Sequence, residues 1–133
     1  MSPGDIQTLL PVGVCFADIS YARPTLAWLT GPFWRSFEAD RFTKVGRYTR
    51  ANDCDNWARA YAQHAQDCHA RTATHPDEAL AVGEFFYTRA DGLGAHAIAV
   101  AITDTGLTFL EPQNGTVLPL TPAEIASCTF ARF

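Results

Sequence analysis

The sequence predicts an α+β fold in which one central helix packs against an antiparallel β-sheet. Between Asp53 and Cys68, apolar residues recur every three or four positions, which is the period of an amphipathic helix. After His75 and Pro76 the pattern changes to short apolar or alternating runs separated by Gly, Asp and Asn, which is typical of antiparallel strands. A helical segment followed by a strand-rich segment favours α+β, and 133 residues suit a single domain, 1–133.

Residues 1–47 are predicted to form an irregular, aromatic-rich lead-in to a core that spans residues 48–133. Pro24, Gly31 and Pro32 fall within this lead-in, and such residues interrupt helices more often than they extend them. We therefore expect loops before residue 48.

The core begins with the predicted helix, for which Asp53 is the N-cap candidate. Thr121 and Pro122 predict a short capped helix late in the chain, since Thr is a good N-cap and Pro is favoured at the first helical position. The predicted strands are LAVGEFFYT, GAHAIAVAIT, GLTFLEP, GTVLPL and the closing run SCTFARF.

Composition argues against several classes of partner. The formal net charge is −4 and Lys44 is the only lysine, so the clustered positive charge that binds nucleic acid is missing. No run approaches ~20 apolar residues, and the first residues lack a basic segment, which predicts neither a membrane span nor a secretory signal. Four scattered cysteines match no zinc pattern and indicate a reducing compartment, so we expect a cytoplasmic or host-cell cytoplasmic protein.

Cys54 is the first candidate for chemistry. A cysteine at a helix N-terminus lies at the positive end of the helix dipole, beside unpaired backbone N–H groups, and both favour a thiolate. Asp53 and Asp55 oppose this effect, so a nearby base is required. The alternative is that Cys54 is a buried, small apolar residue.

His96 and Glu111 are the candidate partners of Cys54. His96 lies among small residues at the start of an apolar strand, and Glu111 ends the next strand, so two adjacent antiparallel strands can place the acid beside the imidazole. Taken singly, His96 also suits a satisfied core histidine and Glu111 a solvated turn residue. The order Cys, His, acid is the order of nucleophile, base and orienting group in cysteine acyl-transfer enzymes.

The motifs DCDNWA, GAHAIAV and EPQNG resemble those of the papain-like cysteine peptidase superfamily, and most nearly the C-terminal peptidase domain of Marasmius-type fungal agglutinins and related viral and bacterial proteins. His96 follows Cys54 by 42 residues and Glu111 follows His96 by 15, as in that group. The matching part covers about residues 48–120. The resemblance implies a papain-like fold with Cys54 as nucleophile, His96 as general base and acid, and Glu111 as orienting residue.

The same resemblance raises two further expectations. Papain-like enzymes carry a Gln shortly before the cysteine as an oxyanion donor, which this chain lacks, so the candidates for that role are Asn52, Arg47 and Gln113. No cofactor is required by this resemblance. The agglutinin peptidases look calcium-dependent, so calcium is a possible ligand of this chain. The candidate oxygen ligands are Asp53, Asp55 and Asn56, fewer than the 6 to 8 oxygens that calcium takes.

Three functions follow as expectations. The first is a cysteine hydrolase or acyl transferase, a thiol protease acting on peptide or isopeptide bonds of a protein or peptide substrate, with a role as a phage or toxin protein left open. The second is a peptidoglycan amidase or endopeptidase of the CHAP or NlpC type, which also opens a helix with a cysteine. The third is a catalytically inactive binding or dimerisation module on the same fold, and a homodimer is left open in each case.

Overall fold

The computed structural model describes residues 1–11, 13–50, 53–74 and 77–133, without the side chains of residues 42–44. The helices are α1 (Pro3–Gln7), α2 (Leu26–Thr30), α3 (Pro32–Lys44), α4 (Cys54–Thr72) and α5 (Pro122–Ala126). The strands are β1 (Val14–Cys15), β2 (Tyr21–Ala22), β3 (Ala79–Leu80), β4 (Val82–Thr88), β5 (Ala95–Thr103), β6 (Gly106–Leu110) and β7 (Phe130–Arg132). The described chain is therefore α+β, as its sequence predicts.

A five-stranded sheet of order β1-β7-β4-β5-β6 forms the centre of the fold. Strands β4, β5 and β6 make the antiparallel meander expected from their alternating patterns. The last strand, β7, lies between β4, to which it is antiparallel, and β1, to which it is parallel. A separate pair, β2 and β3, is parallel.

Helix α4 packs on one face of this sheet because its apolar residues repeat along one side. Trp57, Tyr61 and Ala65 are buried against Ala99 and Ala101 of β5. Alanines on the strand leave room for the large rings of the helix, so the helix and the strand pack closely. This contact places the N-terminus of α4 near the start of β5.

The other face of the sheet holds a second apolar cluster. Phe85 of β4 and Ile98 and Val100 of β5 are fully buried there, beneath Ile6 and Leu10 from the N-terminal segment. Since strand residues alternate between faces, both faces of β4 and β5 are apolar, and both strands are buried almost throughout.

The lead-in is more regular than its sequence predicts, because α1, α2 and α3 all precede residue 48. Pro3 and Pro32 each occupy the start of a helix, where the fixed backbone angle suits a helix and the missing N–H is not needed. Phe33 and Phe37 of α3 pack edge-on against Tyr61, with ring centroids 4.8 and 5.1 Å away. The lead-in is therefore part of the core.

The run GTVLPL, predicted to be a strand, forms only an isolated bridge between Leu110 and Val117 in the described structure. Pro119 lacks the N–H that would continue a ladder, so the chain turns towards α5 instead. None of the described helices is long and apolar enough to cross a membrane.

Strands β4 and β7 approach each other closely at Gly83. A Cβ atom at this position would lie 1.9 Å from the carbonyl oxygen of Arg132, so only glycine fits. The next residue, Glu84, is buried and accepts a 2.6 Å hydrogen bond from the Arg132 guanidinium. Backbone and side chain together fix the register of these two strands.

Candidate functional site

His96 and Glu111 lie side by side at one end of the sheet. His96 is the second residue of β5 and Glu111 directly follows the neighbouring antiparallel strand β6. The Nε2–H of His96 donates to Glu111 Oε2 at 2.8 Å, and the two side chains are only 12% and 14% exposed. A carboxylate acceptor at Nε2 fixes the ring tautomer and leaves Nδ1 as the nitrogen that can accept a proton.

The turn after β6 holds Glu111 through its backbone. Its N–H donates to the Thr116 carbonyl at 2.9 Å, and its carbonyl accepts the N–H of Gly115 at 2.8 Å. The N–H of Gln113 donates to Glu111 Oε1 at 3.3 Å. The carboxylate therefore has the His96 ring on one oxygen and a backbone donor on the other.

Cys54 is the first residue of α4 and is half-buried. Asp53 is the N-cap of this helix, as its sequence predicts, but its side chain makes no capping hydrogen bond. Its carboxyl group instead bonds to that of Asp55, which raises the pKa of Asp53 and lowers the pKa of Asp55. Two interacting carboxyl groups thus flank the thiol.

The described structure contains no hydrogen bond between Cys54 Sγ and either ring nitrogen of His96. Strand alternation puts His96 on the side of Ile98, and its ring lies beside that of Tyr87 with centroids 6.1 Å apart. Helix α4 packs on the opposite face of the sheet. The fold therefore pairs His96 with Glu111, whereas Cys54 begins the helix on the other face and has no described hydrogen bond to His96.

Tyr48 was not among the residues that the sequence patterns singled out. Burial raises the pKa of its hydroxyl, and the neighbouring charges of Cys54, Asp53 and Glu111 raise it further. The charges at Cys54, Asp53 and Glu111 are therefore near enough to act on the Tyr48 hydroxyl. The Tyr48 side chain is nevertheless half-exposed, and a lone Tyr in a loop gives no sequence signal of this position.

The oxyanion-donor candidates remain predictions. Asn52 lies outside the described residues, Arg47 is exposed, and Gln113 is half-buried beside Glu111. The calcium proposal is equally open. Asp53 and Asp55 offer adjacent carboxyl groups, and Asn56 follows them on α4, but the described part of the chain has no group of three or more His, Cys, Asp and Glu side chains that could hold a metal.

The other three cysteines are also free thiols in different environments. Cys15 is exposed, whereas Cys128 is buried and burial raises the pKa of its thiol. Cys68, expected from its helical spacing to be inert core, is half-buried, and Arg71 Nη2 approaches its Sγ at 3.4 Å.

No protein-family model and no curated protein sequence matches the chain. Several solved structures are similar to it, among them a lectin crystal structure and a complex with E64. A crystal structure of the Polyporus squamosus lectin, bound to the human-type influenza-binding epitope Neu5Acα2-6Galβ1-4GlcNAc, has a TM-score of 0.71 at 21% identity and covers 95% of this chain and 44% of that chain. A PSL1a–E64 complex has a TM-score of 0.76 at 20% identity and covers 100% of this chain and 51% of that chain. The chain spans about half the length of these lectin chains and shares their fold over that half.

These findings correct the identification with papain-like cysteine peptidases. The similar structures are of a fungal lectin, and no peptidase family is matched, so the expected cysteine hydrolase, acyl transferase and thiol protease and the peptidoglycan-cleaving alternative are overturned. The expectation of a phage or toxin protein is overturned with them. The motifs misled because each is short, and because the order of Cys, His and Glu along a chain does not fix how the three side chains are arranged in space.

Proposed function

We propose that the chain is a module of a lectin-type, glycan-binding protein, and that the site it contributes is the thiol, imidazole and carboxylate group of Cys54, His96 and Glu111. The likeness to the lectin over nearly the whole of this chain supports the first part. The 2.8 Å hydrogen bond between His96 and Glu111 is the observation that carries the second.

Glycan recognition is proposed for the lectin-type protein as a whole, because this chain matches only about half of each lectin chain. One of those structures holds a sialylated trisaccharide. Binding of this chain to that trisaccharide and to the same glycan without sialic acid, measured by calorimetry, tests whether the glycan site lies on this module. Saturable binding to either glycan would support a glycan site on this chain, and no binding to either would remove glycan recognition from the proposal for this chain.

The proposed site acts as a nucleophilic thiol that captures an electrophilic ligand. Helix α4 is 19 residues long, and its N-terminus favours negative charge on Cys54. The proposal requires that a bound ligand bring Cys54 to His96 Nδ1, the ring nitrogen that is not bonded to Glu111 and can take the thiol proton. With iodoacetamide as the electrophile, the thiolate sulfur forms a bond to the methylene carbon as the carbon–iodine bond breaks, and iodide departs. In unliganded sites the thiol–imidazole contact is often long and tightens when a ligand binds.

Mapping of labelled thiols tests this site directly. Limiting iodoacetamide at neutral pH, followed by peptide mass spectrometry, should label Cys54 before Cys15, although Cys15 is more exposed. E64, the compound present in one similar structure, serves as a second probe, with Cys54→Ala as the control. Faster labelling of Cys15, Cys68 or Cys128, together with no change in E64 binding in Cys54→Ala, would remove the thiol site from the proposal.

A further inference from the structure

We propose that Trp34 of α3 is a positioning residue for the His96–Glu111 pair and that it acts through Gly115. This inference rests on the proposed site and adds to it a residue from the lead-in, residues 1–47.

The Trp34 ring lies so close to Gly115 that only glycine fits at this position. A Cβ atom at Gly115 would lie 2.4 to 2.8 Å from three carbons of the Trp34 ring, so the indole occupies the space that any other residue would need. Gly115 also has φ of +73°, a left-handed conformation that other residues rarely adopt. Glycine at position 115 therefore allows both the turn and the close packing of the Trp34 ring against it.

A shift of the Gly115 backbone should also move Glu111, because hydrogen bonds connect the two residues. The N–H of Gly115 donates to the Glu111 carbonyl at 2.8 Å, and the Glu111 N–H donates to Thr116 at 2.9 Å. Asn114 Oδ1 accepts from both the N–H and the hydroxyl of Thr116. The turn is thus a closed set of hydrogen bonds, and it moves as a unit when one of its residues moves.

Trp34 itself is held on the α3 side. The Arg41 guanidinium lies over its ring at 5.9 Å, and the Phe37 ring lies 6.0 Å away. Phe37 is fully buried against Trp57 and Tyr61 of α4. Through Phe37, the indole therefore connects the helix that carries Cys54 to the turn that carries Glu111.

Four variants separate positioning from simple packing. Gly115→Ala adds a methyl group against the indole, and Gly92→Ala is its matched control, since Gly92 has φ of +80° but no atom within 4 Å of an added Cβ. Trp34→Leu removes the indole. The double variant Trp34→Leu/Gly115→Ala adds the methyl group where the indole is absent.

The primary readout is the tautomer of the His96 ring, followed by ¹⁵N NMR. Wild type and Gly92→Ala should show one Nε2–H tautomer, whereas Gly115→Ala and Trp34→Leu should show exchange between two forms. Cys54 alkylation should slow by about tenfold or more in Gly115→Ala, because small misplacements of a reacting group cost rate steeply. The double variant should recover part of that loss, which backbone strain at Gly115 alone would not allow.

An unchanged His96 tautomer in folded Gly115→Ala would overturn the inference. The inference would also be overturned if the loss of Cys54 alkylation rate in the double variant equalled the sum of the losses in the two single variants. If Gly115→Ala fails to fold, an unchanged tautomer in Trp34→Leu overturns it equally. The failure of the proposed thiol site looks different, because Cys54 would then be unreactive in wild type while the His96 tautomer still reported the position of Glu111.

Discussion

His96 and Glu111, 15 residues apart in the chain, share a 2.8 Å hydrogen bond at the end of two adjacent strands. Both side chains are largely shielded from water, where a bond between an imidazole and a carboxylate is stronger than on an exposed surface. The charge of this pair can be tested separately from its shape.

Replacement of Glu111 by Gln keeps the shape and removes the charge. A neutral amide cannot stabilise a protonated imidazole and can bond to either ring tautomer, so we expect alkylation of Cys54 to slow by about tenfold or more. The measurement is the alkylation rate against pH for both proteins. Asp67→Asn, which removes an exposed carboxylate on α4 hydrogen-bonded to Gln63, is the control. Superimposable rate profiles would remove Glu111 from the site.

We expect calcium to stabilise the fold by binding to Asp53 and Asp55. Their mutual hydrogen bond raises the pKa of Asp53, and a cation between them would replace the shared proton. At a concentration 100 times its dissociation constant, a ligand adds about 2.7 kcal/mol to the free energy of unfolding. Thermal unfolding with calcium and with a chelator measures this effect, and Asp55→Asn should abolish it.

The pH dependence of that effect has a defined sign. Because Asp53 keeps its proton to higher pH than an ordinary aspartate, protons compete with the cation as pH falls. Calcium stabilisation should therefore weaken as pH drops towards the raised pKa of Asp53 and disappear below it. Equal melting temperatures with calcium and with chelator at neutral pH would reject the calcium proposal.

Tyr61→Phe should stabilise the protein by about 1 kcal/mol, because it removes a buried hydroxyl that lacks a hydrogen-bond partner among the described residues. Tyr21→Phe is the matched control, and it should lower the free energy of unfolding instead of raising it. The Tyr21 hydroxyl accepts from Asp18 N–H at 2.9 Å and donates to the Phe133 carbonyl at 3.3 Å, so its loss should cost about 1 kcal/mol. Chemical denaturation of both variants measures the difference, and a destabilised Tyr61→Phe would show that the hydroxyl is bonded.

Tyr61 also makes the stability of the folded protein decrease at alkaline pH. Burial raises the pKa of Tyr61 well above its ordinary value of 10.0, so the folded protein keeps this proton where the unfolded chain has lost it. Stability from the neutral hydroxyl is present below pH 10 and is lost as pH rises towards the folded pKa. Tyr61→Phe should therefore lose less stability above pH 10 than wild type does.

Gly83→Ala should destabilise the sheet by about 3 kcal/mol, since the added methyl group would overlap the Arg132 carbonyl and force β4 and β7 apart. Gly13→Ala is the control, because an added Cβ there has no neighbour within 4 Å, and its effect should lie within about ±0.5 kcal/mol. Comparable unfolding midpoints for the two variants would contradict the close approach of these strands.

The sequence predicted those parts of the fold that depend on local periodicity. Trp57 and Tyr61 mark the buried face of α4, and the alternation around Ile98 marks β5, because side-chain period follows from backbone geometry. Pro32 was misinterpreted since the same residue can end one helix or begin another, and only the packing of Phe33 on Tyr61 decides between them.

The candidate site was only partly predictable for a related reason. The pairing of β5 with β6 follows from a short turn, and it brings Glu111 to His96. The contacts of Trp34 and Tyr48 depend on how distant segments pack, which no local pattern records. The chemistry could not be predicted from the order of Cys, His and Glu either. That order fixes neither the face of the sheet on which His96 lies nor its distance from the Cys54 thiol.

The place of β7 between β1 and β4 has a consequence for synthesis of the chain on the ribosome. Val14 pairs with Ala131, and Phe85 pairs with the same residue, so the sheet is completed by a strand that is made after all its other strands. Until then β4 presents an open hydrogen-bonding edge in a chain whose helices and meander are already available. Such an edge can recruit strands from other chains, so we expect the nascent protein to depend on chaperones until residue 132 has left the exit tunnel.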